Sequence, residues 1–73
     1  PELAGEIADL KAKVEAESDY VGDKFVSEAR AMHVGDSPDR PIYGEANIEE
    51  ARELLEEGVP VMPLPFMPTR KTN

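Results

Sequence analysis

His33 is the one histidine of this chain, and Glu28, Asp36 and Asp39 stand near it in sequence. An imidazole beside carboxylates can pass a proton as a general acid or base, or it can ligate a metal ion, with Asp36 the nearest second donor. A working site needs more groups than these. His33 also ends a predicted helix, where the dipole favours a protonated imidazole without any function. Ser18, Ser27 and Ser37 lack a nucleophile-elbow sequence, and no glycine-rich loop of phosphate-binding form is present. With no cysteine, a disulfide framework and a Cys-based zinc site are both excluded. Catalysis by this chain alone is not expected, nor is a cofactor within it.

Docking chemistry is the stronger signal. Val59-Pro60-Val61-Met62-Pro63-Leu64-Pro65-Phe66-Met67-Pro68 places four prolines in ten residues with apolar side chains between them. Each proline fixes φ and removes a backbone donor, so the segment should run extended and offer carbonyls and large apolar groups to a surface. Pro65-Phe66-Met67-Pro68-Thr69-Arg70 also has the P-x-x-P-x-R form read by aromatic-lined grooves. Alternatively Val61, Leu64 and Phe66 fold back over this chain's helices, or over a neighbour's. An exposed Met/Leu/Phe run would otherwise invite aggregation.

A 73-residue chain has room for one small domain and buries only about 60% of its unfolded surface. Its core must be thin, because the aromatics are Tyr20, Phe25, Tyr43 and Phe66 alone and a third of the residues are charged. Help from a partner chain is therefore expected. Sixteen acidic residues against six basic ones leave residues 1–58 at −10, while Arg70 and Lys71 make the tail +2. An acidic body repels phosphate and anionic lipid, so nucleic acid and membrane surfaces are not expected partners. No apolar run reaches the roughly 18 residues that span a bilayer. No signal-peptide pattern opens the chain, and the lack of cysteine fits a reducing compartment, so the expectation is cytoplasmic. The chain begins at Pro1 without a methionine, as a processed or excised part of something longer would.

The elements that must position these groups read as helices. Leu3, Ile7, Leu10 and Val14 alternate steps of four and three, a short heptad-like stripe that serves either core packing or self-association. The phase is lost around Glu17-Ser18-Asp19, where Ser18 or Asp19 could cap a second helix bearing Val21, Phe25, Ala29 and Met32. The periodicity leaves open whether residues 1–34 form one kinked helix or two. Val34-Gly35-Asp36-Ser37-Pro38-Asp39 is a stop, with Gly35 suited to a left-handed cap, and residues 40–45 read as an extended connector. A last helix starts at Asn47 with a capping-box partner in Glu50 and stops at Gly58. Its inward face is expected at Ile48, Ala51, Leu54 and Leu55. The resulting expectation is an all-α fold of two or three amphipathic helices, with a helical domain over residues 1–58 and an extended proline-rich tail over residues 59–73.

Read together, Tyr20-Val21-Gly22-Asp23-Lys24-Phe25, Glu28-Ala29-Arg30-Ala31-Met32-His33, Ile42-Tyr43-Gly44-Glu45-Ala46 and the run from Glu49 to Gly58, ending in Leu64-Pro65, resemble the bacterial family called domain of unknown function 1178. The resembling segments cover roughly two thirds of the chain. That family has no established activity. The resemblance implies that this chain is a C-terminal half, and that a zinc-ribbon-like set of Cys and His residues would lie outside it.

Two functional readings follow. The first is a helical assembly or interaction module without chemistry of its own, a homo-oligomer or a binder of a protein partner. It is held through Leu3, Ile7, Leu10 and Val14 and through Val61, Leu64 and Phe66 of the tail. The second is a metal- or small-ligand-binding accessory domain of a larger zinc-ribbon-containing protein, using His33 and Asp36.

Overall fold

The computed structural model describes residues 2–69. Helix α1 runs Glu2–Glu17, strand β1 Asp19–Gly22, helix α2 Phe25–His33, strand β2 Ile42–Gly44 and helix α3 Ile48–Glu56. The fold is mixed α/β, which corrects the all-α expectation. Residues 1–34 hold two helices, and a strand separates them.

The correction has a local and a non-local cause. Tyr20-Val21 and Ile42-Tyr43 are aromatic and β-branched pairs that suit a pleated ladder. The two strands pair in parallel, with Asp19 opposite Ile42, Tyr20 opposite Tyr43 and Gly22 opposite Gly44. Between Tyr20 and Gly22 the register slips, leaving Val21 as the extra residue of a bulge. Val21 is therefore a strand residue, and its four-residue spacing from Phe25 does not mark a helix. Parallel strands need a crossover, which here is α2 and the loop after it. The N–H of Asp19 donates to the Pro41 carbonyl and that of Glu45 to the Gly22 carbonyl, extending the pairing at both ends.

Gly22, with φ of +56°, turns the chain out of β1. Neither Ser18 nor Asp19 caps α2: its N-cap is Lys24, which makes no side-chain capping bond. At its other end α2 closes in a Schellman arrangement, in which the N–H of Asp36 donates to the Ala31 carbonyl and that of Gly35 to Met32. Helix α3 starts in a complete capping box. The Glu50 N–H donates to Asn47 Oδ1 at 2.8 Å, and the Asn47 N–H donates to Glu50 Oε1 at 3.2 Å. It ends in a second Schellman arrangement through Gly58 and Val59, with Gly58 at φ of +88°.

The core lies between α2 and α3. It comprises Val26, Ala29, Leu54 and Val59, with Phe25, Ile42 and Val61 packed against it. Tyr43 is buried on the sheet, its ring tilted against Tyr20 at a centroid distance of 5.2 Å. Val59, the first residue of the proline-rich segment, is thus a core residue. It contacts the core cluster of Leu54, the apolar pairing that commonly accompanies this helix ending.

Candidate functional site

His33 is exposed at the last position of α2. Its ring lies over the turn at Gly58, where an added Cβ would meet the imidazole Nε2 at 3.8 Å. Asp36 is exposed beyond the helix end, and its backbone N–H is used in closing that end. Among the described residues no hydrogen bond or ion pair joins His33 to Glu28, Asp36 or Asp39. Nor is any group of three or more His, Cys, Asp or Glu side chains among them disposed to hold a metal ion. An open depression beside His33 has an apolar floor of Phe25, Ala29, Ile42 and Val59, with His33, Asp39 and Arg40 around it.

Glu28 has a structural occupation. Arg40, in the loop before β2, donates from Nη2 to Glu28 on α2 at 3.2 Å and from Nε to Asp19 on β1 at 2.9 Å. These two hydrogen bonds hold the guanidinium above its ordinary pKa. Arg40 thereby joins three segments of the β1-α2-β2 unit. Arg30 does the same for the helix pair, bonding Glu57 and, more weakly, Glu53 of α3. On the sheet, the Tyr20 hydroxyl donates to Glu45 Oε2 at 2.6 Å. Burial of Tyr43, and then the nearby Glu15 carboxylate, raise the Tyr43 pKa.

The apolar surface is the remaining candidate. Helix α1 takes little part in the packing that joins α2, α3 and the strands to one another. Its half-buried residues are Ile7, Lys11, Val14 and Glu15. Leu3 and Leu10 are left 69% and 41% exposed. The stripe is therefore split lengthwise, with Ile7 and Val14 on the sheltered side and Leu3 and Leu10 on the outer edge.

In the tail Val61 packs on the core, Leu64 and Phe66 are half-buried, and Met62 and Met67 are exposed. The Thr69 N–H donates to Glu15 Oε2 of α1 at 2.8 Å, across 54 positions of sequence. The tail thus returns to the C-terminal turn of the first helix. Arg70, which completes the P-x-x-P-x-R pattern, lies outside the described residues, as do Pro1 and residues 71–73.

Sequence reasoning misassigned two surface residues. Ile48 and Leu55 were expected on the inward face of α3, but they are 79% and 56% exposed, while Leu54 is fully buried. At 3.6 residues per turn both lie about 100–120° around the helix from Leu54. A nine-residue helix resting on α2 along one narrow strip leaves that side outward. The signal was in the spacing, since Ile48, Arg52 and Leu55 form a row of steps four and three that Leu54 does not share.

The chain belongs to the family described as "Protein of unknown function (DUF1178)", whose model matches residues 1–69. The match covers essentially the whole chain, more than the two thirds that carry the resemblance in sequence. No curated protein and no solved structure matches it.

Proposed function

We propose that this chain is an interaction module that works through assembly with a protein partner, a second copy of itself included, and not through chemistry of its own. One observation carries this reading: apolar residues at helical spacing stand outward on two separate helices, Leu3 and Leu10 on α1 and Ile48 and Leu55 on α3. Scattered single apolar residues on a surface need no explanation, but rows on facing-out helices are what helix pairing uses. The small core supports it further, since a domain of this size gains proportionately more from a partner. A cytoplasmic setting suits a cysteine-free module of this kind.

Sedimentation equilibrium over a wide concentration range, with circular dichroism on the same samples, tests the reading. The expected result is a folded species whose mean mass rises with concentration, or one that does so when mixed with a protein partner. A folded chain that stays monomeric and sediments without any associating protein would end the proposal.

A further inference from the structure

The two outward rows match one another. Leu3 and Leu10 are seven residues apart on α1, and Ile48 and Leu55 are seven apart on α3, about 10.5 Å along each axis. Beside the first row, on the side away from Ile7 and Val14, the helical period places Glu6 and Lys13, both exposed. Beside the second row it places Arg52, then Glu49 and Glu56, all exposed. The charge order is complementary. If the helices align with Leu3 on Ile48, Glu6 falls beside Arg52 and Lys13 near Glu56. If they align head to tail, the flanks exchange sides and Glu6 and Lys13 no longer face Arg52, Glu49 and Glu56, so the charges select the first alignment.

Resting on the assembly reading above, we infer that the partner is a second copy of this chain, with the α1 edge of Leu3, Leu10, Glu6 and Lys13 of each copy seated on the α3 face of Ile48, Leu55, Arg52, Glu49 and Glu56 of the other. Two identical contacts related by a two-fold axis close the pair, the commonest symmetry of homo-oligomers. A single contact along a nine-residue helix is far smaller than the roughly 1,200 Å² of a stable specific interface, and reciprocity doubles it. The dimer is accordingly weak and concentration-dependent. Its charged flanks set which helix meets which. Pairing α1 with α1 in the same manner would leave the α3 row uncovered, and pairing α3 with α3 would set Glu49, Glu53 and Glu56 against their own copies.

A charge exchange decides it. Lys13→Glu is placed in one chain and Glu49→Lys with Glu56→Lys in another, all at exposed positions without a side-chain ion pair among the described residues. Circular dichroism of each variant confirms its helices. By sedimentation equilibrium each variant alone should dimerise at least tenfold more weakly than the unaltered chain, because both of its contacts now repel. An equimolar mixture should regain association, since one contact is the exchanged pair and the other the original. If both variants dimerise as the unaltered chain does, or the mixture gains nothing, this interface is overturned while the assembly reading stands on another face. If the unaltered chain is monomeric at every concentration, this interface falls, and self-association falls with it.

Discussion

Arg30 of α2 grips Glu57, the residue that ends α3, through two side-by-side hydrogen bonds, Nε to Oε1 at 2.9 Å and Nη2 to Oε2 at 2.7 Å. The planar guanidinium matches the carboxylate, a geometry that a lysine cannot reproduce. An anion at a helix C-terminus is disfavoured by the dipole, and Arg30 offsets that by supplying the opposite charge from a neighbouring helix. Both side chains are substantially exposed, so the bond orients α2 against α3 more than it stabilises the fold. Arg30→Lys should lower the thermal midpoint slightly and Arg30→Ala somewhat more. Both differences should shrink in 1 M salt, as melts with and without salt will show.

The same pair gives an acid limb. Hydrogen bonding to Arg30 holds Glu57 below its ordinary 4.5. Because the folded value is the lower one, the stabilisation is complete above the unfolded value and is lost as pH falls through the folded value. Glu57→Gln should therefore be less stable than the unaltered chain near neutrality. The two should converge on acidification below about pH 4.5, measured as paired thermal melts across that range.

Among the described residues Leu54 is the one large side chain with no exposure at all. Truncating such a residue costs about 2–5 kcal/mol, against a total stability of about 4–11 kcal/mol for a chain this long. Leu54→Ala should leave a large unfolded fraction at 37 °C, whereas Leu55→Ala, one position on, should change stability by less than about 0.5 kcal/mol. Urea titration followed by circular dichroism separates them.

Two glycines should respond oppositely to alanine. At Gly44 a Cβ would lie 2.5 Å from the Gly22 carbonyl oxygen and 3.0 Å from Phe25 Cβ, so β1 and β2 could not approach as they do. Gly44→Ala should destabilise by about 1–3 kcal/mol or more. At Gly5, inside α1, nothing lies within 4 Å, and Gly5→Ala should raise helix content and add up to about 1 kcal/mol of local helix stability. Ellipticity at 222 nm and melting of both variants check this.

Cutting the chain after Gly58 should do more than weaken association. Val59 is buried beside Leu54 and Val61 packs on the same cluster, so the cut opens the core itself. We expect lost helix signal even in dilute samples. A cut after Phe66 should leave the core intact and remove the Thr69 bond to Glu15, loosening α1 alone. Amide hydrogen exchange along α1 distinguishes the two truncations.

What the sequence determined by itself was the start of α3 and the ends of α2 and α3. The capping box of Asn47 and Glu50 and the left-handed closures at Gly35 and Gly58 were legible because each is made by groups within five positions of one another, so residue type and spacing contain the whole interaction. The α1 apolar row was legible for the same reason. Tertiary structure alone decided that Tyr20 pairs with Tyr43, because two short strands gain ladder bonds only once the intervening helix has folded them together. It also decided which side of α3 is inner. Leu54 is buried and Ile48 is not because of where α2 lies, and no local pattern records the position of a neighbour. The candidate site shares that division: Leu3 and Leu10 were visible in the α1 apolar stripe, whereas Ile48 and Leu55 read as an inward face, and their exposure depended on how much of each helix so small a core could shelter.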